Sequence, residues 1–485
     1  MKFIILMQRS KQISFLCLIL FGLLTSGSLA LDVNGWKTRT IYQIITDRFW
    51  RPNGDTQSGC DLRKYCGGTF DGITQQLQYV KDLGFDAIWI SPVMENLGED
   101  YHGYCNLNWE NVNPRFGGEA ALKKMVNTAH QMGILVMADV VANHAAPVDT
   151  DYSKIYPLNQ EYHYHKKCDI NDWNNQWEVE NCRLCNLPDL DQHNPWVRQY
   201  LKDWVKYHID AYKFDGIRID TVPHVEKPFW TEYTRSAGVF SIGEILNGND
   251  AYVGDYQNYM DSTLNYGMHF TLKDVFGWNQ SMRRISDRWA SVNRSFRDPD
   301  ALGLFVDNHD NPRFLSYQKD WRLFKSATAF SLTARGIPIF YYGGEQGYNG
   351  GADPENREPL WRSLNRNHEL FKFVQTINKA RAAQNVPSSS FSEKYVTDQL
   401  YAYTRGRFFV GLTNQLSGTV AQDVPNTGFS NGQVVCNIFK PQDCVTIRNG
   451  NLQLYLVDGE VKIYIPKESS FFQSSLQSPF TQITA

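Results

Sequence analysis

Short apolar runs alternate with segments of helical periodicity along most of the chain. Residues 40–46 (TIYQIIT) and 87–90 (AIWI) flank ITQQLQYVKDLG, where apolar positions recur at helical spacing. Residues 119–132 (EAALKKMVNTAHQM) predict a helix that stops at Gly133 and feeds the strand ILVMADVV. Further strands are predicted at 216–220 (GIRID), 240–246 (FSIGEIL), around 262–266, at 302–306 (LGLFV) and at 337–341 (IPIFY). Near-continuous apolar strands, each followed by a helical pattern, predict a parallel sheet covered on both faces. Eight such units favour a closed (β/α)8 TIM barrel of the α/β class. An open doubly wound sheet calls for a Gly-rich phosphate loop after the first strand, and none is there.

Two intervals break this rhythm. Residues 145–191 are polar and aromatic, carry three cysteines and lack helical periodicity, which predicts a functional loop or small inserted domain after the third strand. After HELFKFVQTINKARAAQ the chain changes to short alternating strands such as LYAYTR, FFVGLT and LQLYLV, as in an all-β sandwich. The expected division is 1–30 as a secretory signal, 31–144 and 192–386 as the barrel, 145–191 as the insertion and 387–485 as the C-terminal β domain.

Composition narrows the setting. At 485 residues the chain accommodates a barrel and an accessory domain, and aromatic residues at 14% supply stacking surfaces as well as core. A net charge of −3 argues against nucleic acid or an anionic membrane as a partner. The N-terminus has Lys2, Arg9 and Lys11, an apolar run over 13–24, then Ser28-Leu29-Ala30, the layout of a secretory signal peptide. Its removal takes Cys17 from nine cysteines and leaves eight, an even number suited to disulfides in an oxidising compartment. Cys60 with Cys66, Cys168 with Cys182 and Cys436 with Cys444 are close in sequence; Cys105 and Cys185 remain as a possible fourth pair. Asn279 and Asn293 stand in glycosylation motifs.

In such a barrel the reactive residues sit where strands end, so polar residues at those ends form one set. The set holds Asp139, Asn143 and His144; Arg218 and Asp220; Glu244; and His309 and Asp310. In GIRID the Ile residues face one way and Arg218 and Asp220 the other, an arrangement expected to hold the Asp220 carboxylate ionised. Asp220, Glu244 and Asp310, delivered to one rim by three separate strand ends, suit glycoside hydrolysis, in which one carboxylate attacks and a second assists the leaving oxygen.

On these residues the sequence resembles the α-amylase family of glycoside hydrolases. DVVANH, GIRIDTVPHV, GEIL and FVDNHDNPRF match its four signature strand ends in order, LPDLD (187–191) matches a fifth, and TIYQIITDRF and YHGY are most like the secreted fungal-type branch. The resemblance implies a secreted α-amylase that cleaves internal α-1,4 bonds of starch or glycogen with retention, acting as a monomer. It implies Asp220 as nucleophile, Glu244 as acid/base and Asp310 as a further catalytic carboxylate. His102, Tyr104, His144, Arg218, Gly248, His309, Asp353 and Arg357 would contact substrate. It also implies a structural Ca²⁺ held by Asn143, Glu180, Asp189 and the His224 carbonyl, an oxygen set that suits a hard cation.

Two positions depart from that branch. Pro223 replaces a Lys and Cys105 replaces a Trp, removing a cationic contact and a stacking platform on opposite sides of the cleft. Cys105, next to Tyr104, and Cys185, close to LPDLD, could form a disulfide at the cleft edge in place of that Trp. The alternatives are an α-glucan transferase or debranching relative using the same carboxylates, or a carbohydrate-binding protein on an inactive barrel. LPDLD in place of QPDLN disfavours debranching, and three intact carboxylates disfavour inactivity.

Overall fold

A computed structural model describes residues 31–475, so the expected signal lies outside the described residues. Eight parallel strands form one sheet: β1 (Ile41–Ile44), β2 (Ala87–Ile90), β3 (Leu135–Val140), β4 (Gly216–Ile219), β5 (Phe240–Gly243), β6 (Ser262–Thr263), β7 (Gly303–Leu304) and β8 (Ile337–Tyr341). Their order is β6-β5-β4-β3-β2-β1-β8-β7, and a parallel bridge from Leu264 to Gly303 joins the two edges into a barrel. β6 and β7 are shorter than the pattern predicts. After β6 the chain leaves the sheet because Asn265 caps a helix, its side chain accepting from Met268 N.

Side-chain parity places the core. Ile41, Ala87, Met137, Phe240, Ile242, Ile337 and Ile339 point inward and pack together, whereas Ile88, Ile90, Ile217 and Ile219 point outward against the helices. Trp36 closes the lower end, stacked on Phe240 at 5.1 Å. A Cβ at Gly216 would meet that indole at 2.8 Å, so glycine is required there. With an apolar lower barrel, polar side chains collect at the other end.

The covering helices include α1 (Phe70–Asp82), α2 (Gly118–Gln131), α3 (Pro195–Tyr212) and α4 (Lys227–Ala237). α3 starts where the Asn194 side chain accepts from Trp196 N and Pro195 occupies the first turn. Between β2 and α2 lies a hairpin absent from the sequence reading, Met94–Asn96 paired with Asn106–Val112. Residues 145–191 fold over it through short turns and a helix at Gln176–Asn181, with Trp109 N donating to Tyr156 O and Tyr156 N to Leu107 O, both at 2.9 Å.

The C-terminal strands are β9 (Phe391–Val396), β10 (Leu400–Arg405), β11 (Phe408–Thr413), β12 (Thr419–Val424), β13 (Val434–Asn437), β14 (Lys440–Thr446), β15 (Leu452–Val457) and β16 (Lys462–Pro466). A six-stranded sheet, β9-β10-β11-β16-β13-β14, faces the pair β12-β15. Leu400, Phe409, Val424, Leu452, Leu454 and Tyr464 fill the space between them, a sandwich core. Disulfides join Cys60–Cys66, Cys168–Cys182 and Cys436–Cys444. The expected Cys105–Cys185 bond is not formed. Cys105 is buried against Asp100 whereas Cys185 is exposed, so the sulfurs do not meet.

Candidate active site

Strand register builds the site. Asp139 pairs with Arg218 across β3 and β4, and Arg218 with Ile242 across β4 and β5, so the inward side chains at the strand ends share one layer. The Arg218 guanidinium is fully buried there. Its Nη1 lies 2.8 Å from both Asp139 Oδ1 and Asp220 Oδ1, and its Nη2 lies 2.8 Å from Glu244 Oε2. Just after Asp220, the β-branched Thr221 adopts a left-handed φ of 47°. That turn lets Thr221 N donate to Glu244 Oε2 at 3.1 Å.

One cation therefore serves three carboxyl groups. Burial pushes the Asp220 carboxyl well above its usual range; Arg218 opposes this, and the Glu244, Asp139 and Asp310 charges reinforce it. Burial likewise raises Asp139 to about 6 against the pull of Arg218. Arg218 favours the ionised form of Asp220, as expected, but its charge is shared with Asp139 and Glu244.

A chain of polar contacts lies beside this cluster. Gln43 Nε2 is 2.8 Å from His309 Nδ1, His309 Nε2 is 2.7 Å from the Tyr104 hydroxyl, and that hydroxyl is 2.7 Å from Asp139 Oδ2. With the amide donating to Nδ1, the Nε2 proton of His309 faces Tyr104 and the hydroxyl donates to Asp139. Burial drives His309 well below the ordinary histidine range, as the neutral ring requires. The Tyr104 ring stacks on His309 at 5.4 Å, and His102 stacks on Tyr104 at 5.7 Å. His144 Nε2 is 3.1 Å from Tyr104 O and 4.0 Å from Asp220 Oδ2, and burial lowers its pKa to about 4.

On the other side, Asp310 is 3.4 Å from His309 Nε2 and 3.7 Å from Arg357 Nη2, and burial raises its carboxyl. Arg357 also reaches the half-exposed Asp353 at 3.2 Å. The carbonyl of Gly248 accepts from Arg288 Nη1 at 3.0 Å. A cavity of about 710 Å³ opens beside Glu244, lined by Trp173, Pro223, His224, Leu246, Asn247 and Tyr252.

The calcium set is brought together in part. The Asn143 side-chain oxygen points at His224 O, 2.9 Å away, and at Asp189 Oδ1, 3.0 Å away. Three oxygens facing one another repel unless a cation lies among them or the amide turns over, so these residues fit Ca²⁺. Glu180 instead accepts from Gln176 Nε2 at 2.8 Å, and its neighbour Val179 accepts from His224 Nδ1 at 3.0 Å.

Three participants were absent from the predicted set. Gln43 and Trp89, whose Nε1 donates to Asp139 Oδ2 at 2.9 Å, point inward from strands. Tyr266, 3.4 Å from Glu244 Oε1, follows β6. Strand parity would have found the first two; Tyr266 lies on a helix and has no such signal.

Residues 43–389 match the family model described as "Alpha amylase, catalytic domain". The chain is 36% identical over 461 residues to an alpha-amylase of Saccharomycopsis fibuligera, covering 90% of this chain and 92% of that one. It is 39% identical over 460 residues to a beta/alpha-amylase of Paenibacillus polymyxa, covering 88% of this chain but 38% of the longer relative. The solved alpha-amylase of Malbranchea cinnamomea superposes with a TM-score of 0.87 at 35% identity, over 90% of this chain and 98% of that one. With the strand-end carboxyls gathered on one buried arginine, the chain belongs to the α-amylase family of glycoside hydrolases.

Proposed function

We propose that the protein is an extracellular, calcium-containing α-amylase that cleaves internal α-1,4 bonds of starch-type glucans as a monomer. The observation that carries this is the contact of Asp220 and Glu244 with the two Nη atoms of one buried arginine. Two carboxyls held so close fit double displacement with retention, in which the pair stands roughly 5 Å apart. Asp220, against Nη1, attacks the anomeric carbon and forms a covalent glycosyl intermediate. Glu244, beside the open cavity, gives a proton to the leaving oxygen and then takes one from water. Asp310, with Arg357 behind it, and neutral His309 and His144 bind sugar hydroxyls; His102 and Tyr104 present ring faces, and Asp353 extends the contacts. Gly248 orders the loop between Asn247 and Asn249.

Asn143, Asp189 and the His224 carbonyl would hold Ca²⁺, with Glu180 near enough in the chain to complete the set. The ion would neutralise converging oxygens and fasten the inserted segment to the barrel. Three disulfides support an oxidising compartment, and no helix among the described residues is long and apolar enough to cross a membrane.

The test is incubation with soluble starch and with pullulan, following products and their anomeric form by NMR. Starch should yield α-anomeric oligosaccharides, and cleavage confined to pullulan would overturn the reading. Asp220→Asn should lower kcat by about 10⁴-fold with the fold retained. Glu244→Gln should lose natural-substrate activity to a similar extent, while an aryl glycoside, whose leaving group needs no proton, recovers the first step.

A further inference from the structure

A second group of ligating side chains lies on the far side of the Asp189 carboxylate. Asp189 turns one oxygen toward Asn143 and the other, Oδ2, toward His165 Nδ1 at 2.7 Å. The second ring nitrogen of His165, Nε2, is buried and meets no hydrogen-bond partner among the described residues. It faces Asp191 Oδ1 at 3.2 Å, and His193 Nδ1 lies 3.7 Å from that same oxygen. The ligating atoms of these three residues all fall within 4.8 Å of one another.

With Nδ1–H donating to Asp189, the contact of Nε2 with the Asp191 carboxylate is favourable only when a proton or a cation lies between them. A cation there makes two bonds. The spacing suits a small ion, because tetrahedral ligands about 2.0–2.2 Å from zinc stand about 3.3–3.6 Å apart. The Asp189–His165 contact is also the carboxylate–histidine arrangement that orients imidazole ligands of metals.

We propose that His165, Asp191 and His193 form a binding site for a divalent transition cation, Zn²⁺ by the character of its donors. Two imidazoles and one carboxylate favour such an ion over Ca²⁺, which takes oxygen ligands. His193 is mostly exposed, which leaves room for water as the fourth ligand. The ion would tie the inserted segment, through His165, to the entrance of α3, because His193 directly precedes the capping Asn194. Sharing Asp189, it would brace the oxygen cradle from behind. The site rests on these four residues and is independent of the glucan reading.

Co²⁺ provides the test, added to the full-length protein in excess Ca²⁺. The wild type should take up a Co²⁺ equivalent with the intense visible absorption of tetrahedral coordination, and Zn²⁺ should displace it. His193→Ala, at an exposed position, should weaken this binding by at least about tenfold, and Asp191→Asn should do the same. Zn²⁺ should raise Tm in the calcium-saturated wild type and not in either variant. No tetrahedral spectrum would overturn the proposal, leaving an imidazolium between Asp189 and Asp191. Equal affinity in wild type and His193→Ala would also overturn it, placing the ion elsewhere, as at the Asp100, His102 and Cys105 cluster.

Discussion

The barrel rim and the junction of the inserted segment both crowd oxygens together, and they relieve the repulsion differently. At the rim the cation is part of the chain: Arg218 lies within 2.8 Å of Asp139, Asp220 and Glu244. At the junction the Asn143 amide meets the Asp189 and His224 oxygens, and either its turned N–H group or a cation from solution must bridge them. A built-in cation is permanent and sets how many protons the carboxyls keep; an ion from solution can be withdrawn. The rim should therefore respond to mutation and pH, and the junction to chelation.

The largest effect should come from removing the built-in cation. Arg218→Met leaves three buried carboxyls facing one another and should cost about 3–5 kcal/mol in urea denaturation. The loss should be smaller at pH 5 than at pH 8, because protonation relieves the repulsion. A pH-independent loss would mean that Arg218 acts mainly as packing. Opening Cys168–Cys182 by a double Ser replacement frees a loop with a sequence separation of 14 and should cost about 3 kcal/mol. Kinetics on short maltooligosaccharides should change far less than stability, since the rim stands on strands.

Withdrawing the ion should come next. A chelator should lower stability by about 2.7 kcal/mol when free Ca²⁺ had stood at about a hundred times its Kd. Asp189→Asn should be insensitive to the chelator. An unchanged wild-type Tm would show that the junction is held by a turned Asn143 amide.

The two regions also differed in how far they could be read from sequence. At the rim, alternation assigned Arg218 and Asp220 to the inward face, because period-two geometry follows directly from a strand. The same rule applied to β1 and β2 reaches Gln43 and Trp89, which look like ordinary strand residues until register sets them beside His309 and Asp139. The junction has no period. The resemblance named its oxygens, but position alone paired Cys105 with Cys185, and loop geometry then buried one sulfur and exposed the other.

The smallest effect tests proton sharing at the rim. Asp139 has a folded pKa of about 6, above its ordinary value of 3.8, because burial outweighs Arg218. Between pH 4 and 6 this carboxyl therefore binds more protons in the folded protein than in the unfolded chain, and its contribution to stability falls as pH rises through that window. One such group contributes a slope of at most about 1.4 kcal/mol per pH unit. Asp47, raised by burial to about 7, adds a slope of the same sign, and buried His144, lowered to about 4, adds one of the opposite sign, so the total is not specific to the rim. Asp139→Asn isolates the contribution: urea midpoints across pH 4–6 should flatten by up to one proton equivalent, while the slope from Asp47 persists. An unchanged slope would place the shared proton on the other rim carboxyls and leave Asp139 a fixed anion, with Tyr104 and Trp89 as its permanent donors.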